Sequence, residues 1–205
     1  MSVDRVIFLR HGQTDYNRLG RVQGHVDIEL NDDGLAQAKA AGAALASYLV
    51  GRPATIVSSD LSRAFVTAQC CAGELGVEVA TDERMRERAF GQFEGLGGDE
   101  LRERYPEAYA HWRAGGTPAG LGIEEKTLVG QRMSEAVREY IEAGESGHTL
   151  VVVSHGSAIT QTLRAILGIA DLEQPVLRGL DNCHWAEIEA GATGWRLRAH
   201  NVSAG

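Results

Sequence analysis

Cysteine is scarce in this 205-residue chain. Cys70, Cys71 and Cys183 are an odd number, two of them adjacent, which excludes a disulfide framework. Long apolar runs are missing too: no stretch approaches the ~20 residues of a membrane-spanning helix. The start, Met1-Ser2-Val3-Asp4-Arg5, has no signal-peptide pattern, so a cytoplasmic location without membrane attachment is expected. Positive charge is in deficit, with 20 Lys and Arg against 28 Asp and Glu and a formal net charge of −8. Such a surface repels nucleic acid as a partner, although a few arginines in a cleft can still reverse the local potential. There is no solenoid repeat and no low-complexity segment. Metal-hydrolase signatures are absent: no His-Glu-x-x-His, no Cys-x-x-Cys, and His25, His111, His148, His184 and His200 are scattered. No Gly-x-Ser-x-Gly elbow is present for a serine esterase. No metal and no cofactor are expected.

What is present is an alternation of strands and helices. Val6-Ile7-Phe8-Leu9 and Thr149-Leu150-Val151-Val152-Val153 are continuous apolar runs of the kind that form buried parallel strands. Thr55-Ile56-Val57 reads as another strand and Val77-Glu78-Val79 as a short one. Cys183 to Ile188 and Trp195 to Ala199 read as two closing strands. Asn31-Asp32-Asp33-Gly34 offers capping chemistry to a helix with Leu35, Ala38, Ala41, Leu45 and Leu49 on one stripe. Ser58-Ser59-Asp60 offers N-caps to a second helix, with Leu61, Ala64, Phe65, Ala68, Cys71, Ala72 and Leu75 along it. Further helices are predicted from Lys126 to Ala143 and after His155. The pattern predicts a three-layer α/β/α sandwich with a mainly parallel sheet. Residues 88–125 are rich in glycine around a helix predicted from Leu101 to Trp112. They read as a mobile cap excursion over a single domain spanning residues 1–205.

One pattern occurs twice. Val6 to Gly12 and Val151 to Gly156 each place a histidine directly after a buried strand, with glycine next. Ligands of open α/β sheets bind outside the carboxyl ends of the strands, so His11 and His155 can meet in one crevice. Glycine at each position lets the backbone approach a ligand. Either His-Gly alone reads as readily as a strand-to-helix turn. Arg10 precedes the first histidine and Arg63 opens the helix after the second strand. The planar guanidinium suits phosphate oxygens, and a helix N-terminus adds N–H donors. Two arginines and two histidines around one crevice describe an anion site.

Arg10-His11-Gly12-Gln13-Thr14-Asp15-Tyr16-Asn17 resembles the Arg-His-Gly signature of the histidine phosphatase superfamily, in its phosphoglycerate-mutase-like branch. The likeness continues through Gln23-Gly24, Ser59 to Ala64 with Thr67-Ala68, Arg86-Glu87, Gly91, Glu94-Gly95, Ser154-His155-Gly156 and Asn182. The resemblance implies a metal-independent phosphomonoesterase acting on a sugar phosphate, a phosphoglycerate or a glucosylated phosphoglycerate. His11 would be the nucleophile that forms a phosphohistidine, its other ring nitrogen held by a backbone carbonyl. Arg10, Asn17, Arg63 and His155 would hold the phosphate. Glu87 would protonate the leaving oxygen and then activate water, although on its own it reads as one exposed glutamate in the charged stretch from Glu83 to Arg88. Gln23, Gly24 and Gly156 are placed against the substrate, and a homodimer is implied. Many relatives carry Gly-Glu-Ser eight residues ahead of an arginine. Here Arg132 matches with Glu124, but Ile123 and Glu125 replace the glycine and serine, which leaves the cap-to-core contact open. Cofactor-dependent mutases of this branch carry paired arginines in a longer insertion. The segment from Leu101 to Gly122 has only Arg102, Arg104 and Arg113, none adjacent, which favours hydrolysis over mutase chemistry. A non-catalytic phosphate-binding adaptor would need neither a nucleophile nor an acid.

Overall fold

The computed structural model describes residues 3–169 and 176–204. Six strands form one sheet: β1 (Arg5–Arg10), β2 (Ala54–Ser58), β3 (Val79–Thr81), β4 (Thr149–Ser154), β5 (Trp185–Gly191) and β6 (Gly194–Val202), in the order β3-β2-β4-β1-β5-β6. The first four in that order run parallel, and β5 and β6 are antiparallel additions. Side chains alternate across a strand, so β1 and β4 feed both faces of the sheet. Val6, Phe8 and Val152 pack under α6 (Lys126–Ala143) and α7 (Gly156–Leu167). Ile7, Leu9, Val151 and Val153 pack under α2 (Asp32–Tyr48) and α3 (Ser62–Leu75). The result is the three-layer α/β/α sandwich. Burial of each such side chain contributes roughly 1.5–3 kcal/mol, which is why the centre of the sheet holds the rest.

Register positions the site. Arg10 pairs with Ser154 at the last rung of the β1–β4 ladder, so His11 and His155 leave the sheet side by side. The loop after β1 runs through α1 (Asp15–Arg18), where Thr14 and Asn17 form a reciprocal capping box. Gly12 and Gly34 lie back to back. A Cβ on Gly12 would collide with the Gly34 carbonyl, and one on Gly34 with the Gln13 carbonyl. The glycine after His11 thus serves the approach of α2 rather than of a ligand.

Several local expectations are corrected. Ser58, Ser59 and Asp60 do not cap α3: its N-cap is Leu61, and Asp27 accepts from the Ser62 N–H (2.9 Å) and hydroxyl (2.7 Å) instead. Leu35 is 37% exposed and lies off the buried stripe of α2, where Gly34 takes the inward place. Phe65 is only partly buried, and the hidden positions of α3 include Arg63 and Thr67. The third strand starts at Val79, and Cys183 occupies a turn with φ of +55° before β5 begins at Trp185. The single helix predicted from Leu101 to Trp112 is two, α4 (Gly98–Arg104) and α5 (Pro106–Arg113). Proline at the first position of α5 forces Tyr105 out of helical geometry. Around these short helices Phe90, Phe93 and Leu101 form a third, small apolar cluster, joined by Val22, Trp112 and Ile123.

Candidate active site

His11 is 2% exposed and its Nδ1 lies 2.6 Å from its neighbour's carbonyl, Gly12 O. A carbonyl only accepts, so Nδ1 carries the hydrogen and Nε2 keeps its lone pair. Burial first, then the Arg63 and Arg10 guanidinium groups, hold the His11 pKa well below the ordinary histidine value. The ring is therefore neutral at pH 7, as a nucleophile must be.

Around it the fold converges donors. Arg10 donates through Nη1 to Leu180 O (2.6 Å), while its buried Nε has no hydrogen-bond acceptor among the described residues. Arg63, fully buried, donates from Nη2 to Gly24 O (2.8 Å), from Nη1 to Val26 O (2.9 Å) and from Nε to His155 Nδ1 (3.2 Å). Two of its five N–H groups remain. Asn17 accepts at Oδ1 from Thr14 N (3.1 Å) and Asn182 Nδ2 (3.2 Å), which leaves its amide NH₂ as the free end, the polarity an anion requires. Asn182 also donates to His11 O (3.0 Å).

Glu87 follows η1, a 3-10 turn over Glu83–Met85, and crosses to the N-terminus of α7. Its carboxylate accepts from Ser157 N (3.1 Å), Ala158 N (2.8 Å) and Arg88 N (2.7 Å). Its backbone carbonyl accepts from His25 Nε2 (2.8 Å) and Arg132 Nη2 (2.9 Å). Arg132 in turn forms a two-point pair with Glu124, at 2.7 and 2.9 Å, and donates to Arg84 O and Arg86 O. The cap-to-core contact left open by the altered triplet is therefore made, because the glutamate and arginine suffice for it.

A cavity of about 250 Å³ is lined by Arg10, His11, Asn17, Gln23, Gly24, Arg63 and Glu87, with Gly20, Arg21, Val22, Phe90 and Trp112 completing the wall. Every expected site residue except His155 and Gly156 lines it. His155 lies against His11, ring centroids 5.1 Å apart, but is fully buried. Arg63 can only donate, so His155 Nδ1 is the acceptor and Nε2–H donates to Ser59 Oγ (2.9 Å). Both nitrogens of His155 are thus engaged with the protein. Burial, then the charge of Arg63, holds its pKa well below the ordinary value. Gly156 opens α7, and a Cβ there would stand 3.5 Å from Arg10 Nε. Gln23 accepts from Thr14 Oγ1 (2.9 Å), and Gly24 has φ of +53° with Glu94 filling the space of a side chain. Sequence reasoning missed Asp27 as the cap of the Arg63 helix, Ser59 as the partner of His155, and Phe90 and Trp112 as cavity walls. No spacing rule marks any of them. Among the described residues no group of three or more His, Cys, Asp or Glu is arranged to hold a metal ion.

A buried neutral histidine backed by two arginines and faced by a carboxylate is phosphoryl-transfer chemistry. The chain belongs to the histidine phosphatase superfamily, branch 1, whose family model matches residues 6–203, and it is a phosphatase. It is 36% identical to the glucosyl-3-phosphoglycerate phosphatase of Mycolicibacterium vanbaalenii, over all of this chain and 97% of that one. The Mycobacterium tuberculosis enzyme of the same name is 35% identical at the same coverage. A solved structure of mycobacterial glucosyl-3-phosphoglycerate phosphatase with VO3 superposes with a TM-score of 0.87 at 34% identity, covering 98% of this chain and 100% of the other.

Proposed function

We propose that this phosphatase hydrolyses glucosyl-3-phosphoglycerate through a phosphohistidine at His11, without a metal ion. The end-to-end identity of 35–36% with two glucosyl-3-phosphoglycerate phosphatases carries the choice of substrate. The free Nε2 of His11 supports the mechanism. Nε2 attacks phosphorus in line while Arg10, Arg63 and the Asn17 amide neutralise the equatorial oxygens. As the P–O bond breaks, Glu87, in its protonated form, gives its proton to the departing glycerate oxygen. The resulting carboxylate then takes a proton from water, whose oxygen attacks the phosphohistidine, releasing inorganic phosphate and restoring His11. His155 serves the phosphate clamp through Arg63, whose Nε it fixes.

The mutase alternative finds little support, since neither Arg102, Arg104 nor Arg113 lines the cavity. An adaptor would not need the Glu87 carboxylate at the cavity wall. Residues 88–125 act as the cap of one domain. Among the described residues no helix is long and apolar enough to cross a membrane. A cytoplasmic homodimer that binds no nucleic acid completes the reading, on the charge balance of −8 and the family resemblance.

The test is release of inorganic phosphate from glucosyl-3-phosphoglycerate, 3-phosphoglycerate, a sugar phosphate and an aryl phosphate, each with EDTA or vanadate. Activity should survive EDTA, fall with vanadate, and give the highest kcat/KM on the glucosylated ester. Loss in EDTA restored by zinc or magnesium would reject the metal-free mechanism.

A further inference from the structure

The cavity over His11 has two kinds of wall. Arg10, Asn17, Gln23 and Arg63 supply polar groups, all placed from the edge of the sheet and the loop after β1, whereas Phe90 and Trp112 come from the cap. The phosphate reading uses Arg10, Asn17 and Arg63 from the first set and leaves the rings without a role.

Trp112 stands near the end of α5 and is half-buried. Its indole meets Phe90 edge to face at 5.9 Å and Phe93 edge to face at 5.8 Å, and lies tilted against Tyr109 at 6.0 Å. Phe93 is wholly buried and Phe90 is 9% exposed, so the rings behind the indole are themselves fixed. Three aromatic neighbours hold the indole in one orientation, and the surface they leave uncovered borders the cavity.

The cap that carries this ring is bound to the same loop that presents Asn17 and Gln23. Val22 N donates to Leu96 O (3.0 Å) and Gly95 N to Val22 O (2.8 Å). Arg21 donates to Gly95 O and pairs with Glu100 at 2.9 Å. The aromatic wall is thus held against the phosphate-binding loop by paired backbone bonds.

Chemistry sets what faces that wall. With phosphorus at His11 Nε2 and the leaving oxygen toward Glu87, the rest of the cavity takes the alcohol portion of the ester. A pyranose ring has an apolar face of C–H groups that packs on an indole. A three-carbon glycerate has no such face. Indole offers a large, rigid apolar surface at small entropic cost, the property that makes tryptophan effective in recognition.

We propose that Trp112, backed by Phe90 and Phe93, is the platform for the sugar ring of a glycosylated phospho-acid and determines the preference of this enzyme for it over the bare phospho-acid. This rests on the hydrolytic reading given above.

The experiment compares wild type, Trp112→Ala and Trp112→Phe on glucosyl-3-phosphoglycerate and 3-phosphoglycerate, alongside competitive inhibition by the products glucosylglycerate and glycerate. Trp112→Ala should lower the ratio of the two kcat/KM values about tenfold to hundredfold, mainly through KM for the glucosylated ester. Trp112→Phe should recover part of the ratio. Inhibition by glucosylglycerate should weaken by a similar factor in the alanine variant, and that by glycerate by less than about threefold. An unchanged ratio, whether both rates fall together or neither falls, would overturn the proposal and leave Trp112 a support for the cap. Wild type that hydrolyses 3-phosphoglycerate but neither hydrolyses the glucosylated ester nor binds glucosylglycerate would overturn it from the other side. If wild type hydrolyses neither ester nor an aryl phosphate, the hydrolytic reading fails instead. Direct binding of glucosylglycerate and glycerate to wild type and Trp112→Ala, measured by calorimetry, then decides for or against the platform.

Discussion

The two walls of the cavity are built by different means. The sheet-edge wall is set by strand register: β1 is paired on both sides, and His11 and His155 follow the matched rung of Arg10 and Ser154. The cap wall rests on two short helices of 7 and 8 residues, the second without a single buried residue, and on a handful of rings. Backbone ladders fix a nucleophile more tightly than a small apolar cluster fixes a ring, and sites with few buried contacts occupy the low-stability end of a structure. On the proposed reading, chemistry falls to the wall set by strand register and choice of substrate to the wall set by side-chain packing. Glu87 belongs to neither alone. Its carboxylate sits on the N–H groups of α7, while its carbonyl is held through Arg132 and Glu124, which reach the start of the cap.

The comparison breaks most directly at His11. His11→Ala should lower turnover of every substrate by at least about 10⁴-fold, because no other group replaces the nucleophile. Thermal unfolding should show the sheet intact, and wild type quenched in alkaline detergent, not the variant, should carry phosphate label. Turnover near wild type would remove the sheet-edge wall from the chemistry.

Glu87→Gln tests the joint between the walls. The alkyl ester glucosyl-3-phosphoglycerate should lose about 10²- to 10⁴-fold in the phosphorylation step, since its alkoxide departs poorly without a proton. An aryl phosphate needs little such help and should show a burst followed by accumulating phosphoenzyme. Equal losses for both in the first step, measured by rapid quench, would move the acid to another carboxylate.

Arg132→Met removes the clamp on the Glu87 carbonyl while leaving Arg10, Arg63 and Asn17 in place. A displacement of Glu87 by a fraction of an ångström to one ångström should cost about 10- to 100-fold in kcat. Inhibition by inorganic phosphate should change by less than about threefold. Equal weakening of phosphate inhibition would show that the two walls are one mechanical unit.

The smallest effect is on stability against pH. His11 and His155 both belong to the sheet-edge wall, and burial lowers both pKa values well below 6.5. Below pH 6.5 the unfolded chain binds protons that the folded chain refuses. Their stabilising contribution is therefore complete above that pH and is lost as pH falls below it, by roughly 1.4 kcal/mol per pH unit for each histidine. Urea unfolding at pH 7.5, 6.5 and 5.5 should show that slope. A flat profile from 6.5 to 5.5 would mean the rings are not held neutral by burial.

The features legible in advance were those with local causes. Apolar runs of Val and Ile ended by His-Gly are strands feeding a site, and Asn31 accepts from Gly34 N (2.9 Å) as the capping pattern requires. Pro106 also carried a local signal for the break between α4 and α5, which the helical spacing outweighed. Asp27 at the head of α3, Ser59 against His155, and Trp112 beside Phe90 and Phe93 had no such signal. Each acts across a long stretch of sequence on a partner that only folding brings near.

By itself, then, the sequence determined most of the elements and the placing of His11 with Arg10 and Arg63 at one sheet edge, because propensity, hydrophobic period and a dense motif act over a few residues. The tertiary structure alone decided that His155 turns both nitrogens to Arg63 and Ser59, that Glu87 lies on the α7 N-terminus under Arg132, and that Phe90 and Trp112 border the cavity over His11. Those relations depend on strand register and on packing between distant segments, and geometry of that kind exists only once the chain has closed on itself.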